Sequence, residues 1–159
     1  MAPSRRFLGL AGWVVLCLGV AAVSGLATVE GTRGWYPTIA KPTWTPPSWL
    51  FGPVWTVLYA AMGVAAWRVW RIGGFRPVRT ALGLFLAQLA VNGLWSPVFF
   101  AWHRLGLAVI VIGLLWLGIV ATIVAFRRHD RVAALLLAPY LAWVSFASAL
   151  TIAIWRLNG

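Results

Sequence analysis

The sequence predicts an all-α membrane protein, a single domain over residues 1–159 built as a bundle of five transmembrane helices. Three observations carry this. The chain is 62% hydrophobic and only 9% charged, whereas a soluble domain carries about 25% charged residues. Five apolar runs reach the roughly 20 residues that a bilayer-spanning helix needs. The arginines sit between those runs, with Arg68 at the very end of the second.

The first span is expected over Phe7–Thr28, behind the arginines of "MAPSRRFLGL". A cleaved signal peptide is the rival reading, but its apolar core is about 7–15 residues and this run is longer. Ser4-Arg5-Arg6-Phe7-Leu8 is one residue out of register for a twin-arginine export signal. The other spans are expected at Trp49–Trp70, Thr80–Ala101, Leu105–Phe126 and Val132–Trp155. Pro53 falls in the first turn of the second span, where a missing N–H costs little. Pro139 falls inside the fifth, where it is expected to kink the helix. Apart from Val29–Ser48, the connections are short.

Charge fixes an expected orientation. Arg5, Arg6, Arg68, Arg71, Arg76, Arg79, Arg127, Arg128 and Arg131 share one side, against Arg33, Lys41, Arg104 and Arg156 on the other. Positive charge concentrates on cytoplasmic loops, which places the N-terminus in the cytoplasm. The same placement explains the net charge of +11 without nucleic acid, for which no basic stripe is present. His103 and His129 are far apart and lack partners at ligand spacing, so no metal site is expected. Cys17 has no second cysteine to pair with. Glu30 and Asp130 are the only acids, and no nucleophile motif, phosphate loop or carboxylate pair appears. Conventional acid–base catalysis has almost nothing to work with.

The chain holds 12 tryptophans. An interfacial aromatic belt accounts for Trp70, Trp102 and Trp155. It does not account for Trp55, Trp95 and Trp143, which lie two turns or more inside their spans. Helical spacing groups Gln88, Asn92, Trp95 and Phe99 on one face of the third helix. It groups Phe51, Trp55, Tyr59 and Met62 on the second, and Pro139, Trp143, Ala147, Leu150 and Ile154 on the fifth. Polar side chains at that depth glue helices together or line a cavity. The faces therefore either interlock as packing or converge on a pocket for a flat apolar ligand. The stretch "KPTWTPPSWLFGPVW", Lys41–Trp55, holds the first loop stiff through its prolines, as a preformed lid would be.

"WYPTIAKPTWTPPSWLFGPVWTVLYAAMG" (Trp35–Gly63), "QLAVNGLWSPVFF" (Gln88–Phe100) and "PYLAWVSFASAL" (Pro139–Leu150) resemble the hallmark stretches of the translocator protein family. That family is also called the tryptophan-rich sensory protein or peripheral benzodiazepine receptor family. The resemblance covers nearly the whole chain in order. It implies a five-helix bundle, usually a homodimer, with a ligand pocket under the first loop. It implies binding of porphyrins such as protoporphyrin IX, and of isoquinoline and benzodiazepine compounds, with no resident cofactor. Some bacterial members promote light- and oxygen-dependent porphyrin breakdown, and the tryptophans implicated there match Trp55 and Trp143. Other family pocket positions match Trp49, Gln88, Asn92, Trp95, Ala147 and Leu150.

Departures narrow the expectation. Histidines of animal members are replaced by Thr45 and Ser48, a tryptophan opening the fourth helix by Leu107, and an Asn-Tyr pair by Thr151-Ile152. No forward sterol pattern remains, and the reversed one at Arg79, Phe85 and Leu89 is a weak motif. Sterol binding is thus not expected, and a bacterial cell membrane is favoured over an animal one. Three roles follow: a porphyrin sensor or scavenger, a photochemical porphyrin-degrading enzyme, or a carrier of porphyrin, sterol or other small hydrophobic molecules. Five helices with no internal repeat and no mid-membrane ionisable residue are poorly suited to the last. Gly83, Ala87 and Ala90 offer a small-residue face for dimerisation, with Gly9, Gly12 and Gly19 as the alternative.

Overall fold

A computed structural model describes residues 1–159. It contains helices and no strand: α1 (Pro3–Arg33), α2 (Phe51–Trp70), α3 (Arg79–Ser96), α4 (Leu105–Arg127), α5 (Arg131–Leu136) and α6 (Ala138–Asn158). Helices α5 and α6 together make the fifth of five segments long and apolar enough to cross a membrane. Each spanning helix satisfies its own backbone, which a hydrocarbon solvent requires. The pairs α1–α2, α3–α4 and α4–α6 pack along one another.

Helix α1 extends the expected span by about a turn at each end and reaches 31 residues. Only Cys17, Ser24 and Gly31 are buried along it, so it lies at the edge of the bundle. Its contact with α2 is closest toward the arginine-rich end. There Gly9 packs on the Trp70 ring, and a Cβ placed on Gly63 would lie 2.7 Å from the Val14 Cα. Gly9 is therefore spent inside the chain. Gly83, Ala87 and Ala90 instead point outward from α3.

Two prolines shape the helices they enter. Pro97 has no N–H for the Gly93 carbonyl four residues earlier. The Ser24 hydroxyl of α1 donates to that carbonyl instead, at 3.3 Å. Beyond Pro97 the helix widens into a π segment, Pro97–Ala101, closed by Trp102 N–H to Pro97 O at 2.8 Å. In the fifth span the interruption falls in the turn just ahead of Pro139. The helix breaks at Leu137, and Pro139 sits exposed in the first turn of α6. This corrects the expected face at Pro139, which points outward; Trp143, Ala147, Leu150 and Ile154 face inward as expected, joined by Tyr140 and Val144. Pro139 has no N–H for the Leu135 carbonyl four residues earlier, so the helix breaks ahead of it and resumes with the ring at a tolerated position.

The turn between α4 and α5 is fixed by Asp130. Its carboxylate accepts the Ala133 N–H at 3.0 Å as an N-cap and faces the Arg68 guanidinium, with Nε to Oδ2 at 3.0 Å. Burial pushes the Asp130 carboxyl up, but the Ala133 N–H and Arg68 outweigh it, and its pKa is lowered. Arg68 and Asp130 form the only salt bridge of the chain.

Mid-bundle, a hydrogen-bonded chain joins three helices. Tyr59 of α2 donates to Asn92 Oδ1 at 2.7 Å, Asn92 Nδ2 donates to the Tyr140 oxygen at 2.6 Å, and Tyr140 donates to Gln88 Oε1 at 2.7 Å. All four residues are buried. Tyr140→Phe strands Asn92 Nδ2 and Gln88 Oε1 together, so a loss of about 1–2 kcal/mol is expected. Thermal unfolding in detergent reads it as a lowered midpoint; an unchanged midpoint would show that the hydroxyl carries no stability.

Candidate ligand site

The site lies toward the end of the bundle that carries the first loop. Away from the Gly63–Val14 contact, α1 and α2 diverge. No atom lies within 4 Å of a Cβ built on Gly25 or Gly52, so the helix pair opens into a cleft. The cleft has a volume of about 510 Å³. Ser24, Thr28, Thr32 and Arg33 line it from α1, and Trp49, Phe51, Trp55 and Tyr59 from the other side. Pockets that enclose a small organic ligand run about 300–1,000 Å³, so the cleft has the room.

Behind the cleft, toward the bundle axis, is an aromatic slot lined by Tyr36, Phe51, Trp55, Trp95, Phe99, Phe100, Trp143, Ala147 and Leu150. Its free space is about 20 Å³, close to that of one water molecule. The rings meet mostly edge to face: Trp55 and Trp143 are 6.5 Å apart at 88°, and Phe51 and Trp143 are 6.1 Å apart at 68°. Trp95 instead stacks on Phe99 at 5.3 Å and 26°. Thr28, Phe51 and Trp55 line both spaces and form the partition between them.

The slot is rich in hydrogen-bond donors that have no acceptor. Trp95 Nε1, Trp143 Nε1 and the Tyr36 hydroxyl are buried without a partner. Burial pushes the Tyr36 pKa up to about 12, which keeps that hydroxyl protonated and a donor at neutral pH. Leaving a buried donor unpaired costs about 1–3 kcal/mol. Three around one small space mark it as a place suited to an acceptor-bearing group.

The loop Gly34–Pro47 reaches the slot through Tyr36 and is itself held in shape. Thr38 Oγ1 donates to Trp35 O at 2.6 Å, and Thr45 Oγ1 donates to Pro42 O at 2.7 Å. Lys41 Nζ donates to Tyr36 O at 2.7 Å and Ile39 O at 3.1 Å, and sits 4.9 Å from the Tyr36 ring centre. The Asn158 amide grips the loop from α6, accepting from Ala40 N at 3.0 Å and donating to Ala40 O at 2.7 Å. Trp35 stacks on His103 at 4.1 Å, and Trp44 packs on Phe146.

The residues singled out in the sequence divide three ways. Trp49 and Trp55 line the cleft, with Trp49 71% exposed at its lip. Trp55, Trp95, Trp143, Ala147 and Leu150 line the slot. Gln88 and Asn92 line neither, because their amides face the Tyr59 and Tyr140 hydroxyls. Sequence reasoning passed over Tyr36, Tyr140 and the hydroxyl row of α1. That row was legible in principle, since Ser24, Thr28 and Thr32 recur every four residues.

The profile of the TspO/MBR family matches residues 13–156. The chain belongs to the TspO/MBR family. It is 42% identical to the tryptophan-rich protein TspO of Chlorobaculum tepidum over 98% of this chain and 99% of that one. It is 43% identical to the tryptophan-rich sensory protein of Cereibacter sphaeroides, covering 92% of each chain. It is 42% identical to the translocator protein of Homo sapiens over 89% of this chain and 84% of that one. A TspO/MBR protein with five apolar helices is a multi-pass integral membrane protein.

Proposed function

We propose that this TspO/MBR protein binds protoporphyrin IX and related flat apolar tetrapyrroles, for sensing, regulation or light-dependent degradation. The observation that carries the reading is Trp55, the indole shared by a ligand-sized cleft and a donor-rich aromatic slot. Indole faces stack on extended π-systems. The macrocycle is placed in the cleft against Trp49 and Trp55, and a peripheral acceptor group enters the slot as the Trp143 and Trp95 rings give way. Titrating the purified protein with protoporphyrin IX in the dark is expected to quench tryptophan fluorescence saturably. Absence of saturable quenching would overturn the reading.

Light-driven breakdown follows from the same placement. An excited porphyrin takes an electron from a touching indole and passes it to dioxygen, and the indole cation recovers its electron from the porphyrin, whose own cation then combines with the superoxide; alternatively the excited porphyrin passes its energy to oxygen, which adds to the ring. Trp55 and Trp143 are edge to face and are the candidates for this redox role. A Trp55→Phe, Trp143→Phe double variant is expected to keep binding porphyrin and to lose light-dependent bleaching. Bleaching at the original rate would remove the enzymatic role and leave the binding one.

The outward face of Gly83, Ala87 and Ala90 on α3 is the surface proposed for a homodimer. The arginine distribution supports a cell membrane with the N-terminus in the cytoplasm.

A further inference from the structure

We propose that Arg33 selects ligands that carry a carboxylate, holding that group at the mouth of the α1–α2 cleft while the apolar body lies against Trp49 and Trp55. This rests on the cleft being the ligand site and narrows its ligand class to planar amphiphiles with an anionic edge. Four basic side chains lie at this end of the bundle: Arg33, Lys41, Arg104 and Arg156. Only Arg33 lines the cleft. The Lys41 ammonium is already committed to two main-chain carbonyls and the Tyr36 ring. Arg33 is exposed and has no carboxylate of the chain within salt-bridge distance.

Arg33 is the one cation on the wall, and four of its hydroxyls have no proton to offer an anion; those of Ser48 and Ser96 donate to nothing in the chain. The hydroxyl protons of Ser24, Thr28, Thr32 and Thr56 are donated to the carbonyls of Gly93, Ser24, Val29 and Gly52. What these side chains turn toward the cleft is therefore oxygen lone pairs, which do not solvate a carboxylate. Deep in the cleft an anion would lose its hydration with the neutral Ser96 hydroxyl and no charge in return. At the mouth it keeps water and gains a guanidinium, whose planar fork matches a carboxylate. From Ser24 to Arg33 the helix rises about 13 Å, enough to seat the apolar body of such a ligand below the anion. The gap at Gly25 and Gly52 faces outward between the two helices, so a ligand dissolved in the bilayer can slide in sideways with its charged edge at the headgroup level.

The test compares protoporphyrin IX with its dimethyl ester, in which both carboxylates are masked, by dark fluorescence titration of the full chain in detergent. The parent protein is expected to prefer the free acid by about fivefold, the upper range for a solvent-exposed ion pair. Arg33→Gln is expected to abolish that preference without changing ester affinity, Arg33→Lys to restore much of it, and Arg104→Gln to leave it intact. Equal affinity of the parent protein for acid and ester, or a preference that survives Arg33→Gln, overturns the role of Arg33 while porphyrin binding stands. A chain that binds neither compound overturns the porphyrin reading and this proposal with it.

Discussion

Trp55→Ala is expected to weaken protoporphyrin IX binding by roughly 10- to 100-fold, the equivalent of about 1.5–3 kcal/mol for removing one large apolar side chain from a contact. The expectation follows from position. Trp55 separates the cleft from the slot and touches Tyr59, Tyr140 and Trp143 with its ring. Truncation merges the two spaces and removes the surface on which the macrocycle would lie. Trp44→Ala is the matched control, since Trp44 packs on Phe146 and lines neither space. Dark quenching titrations of both variants, with unfolding midpoints to confirm that each is folded, make the comparison. Equal affinities for the two would show that the indole partition takes no part in binding.

Gly63→Leu is expected to be the most damaging single change to the fold. A Cβ at this position already meets the backbone of Val14 at 2.7 Å, and backbone cannot swing aside as a flexible side chain can. Overpacking of this kind costs typically 1–3 kcal/mol and occasionally more. Here α1 must separate from α2 along the region that sets the angle of the cleft. The variant is expected to lose thermal stability in detergent and to lose porphyrin affinity in parallel. Gly52→Ala is expected to do neither, because nothing lies within 4 Å of the added methyl. A Gly63→Leu protein as stable as the parent would mean that the close crossing is not what holds α1.

The number and order of the spans were legible because hydropathy over about 20 residues responds to lipid and to little else. The limits of α1 were not, because its last turns leave the apolar region yet continue as helix to Arg33. Helical spacing found the slot-facing aromatics Trp55, Trp95 and Trp143. It could not say that they would close on one another, since closure depends on the rotation of α6. That rotation is set by the break at Leu137, which spacing counted from Pro139 cannot anticipate. For the same reason Pro139 was expected inward and Tyr140 went unnoticed, although Tyr140 is the residue that ties Asn92 to Gln88. The depth of Gln88 and Asn92 left two readings, helix glue or cavity lining. The structure gives both ends of the Asn92 amide and the Gln88 oxygen tyrosine partners, leaves Gln88 Nε2 without one, and puts neither residue on a cavity wall. The cleft itself was invisible from one helix at a time, because it exists only where two helices part.

The grip of Asn158 on Ala40 spans 118 positions of sequence. The first loop is thus tied to a helix that the ribosome makes after the other four spans. Until that helix is in place, the loop has its internal bonds, the Trp35–His103 stack and the packing of Tyr36 on Phe99 and Phe100, but no tie at Ala40. The Ala40 end of the loop is therefore expected to settle after its Trp35 end.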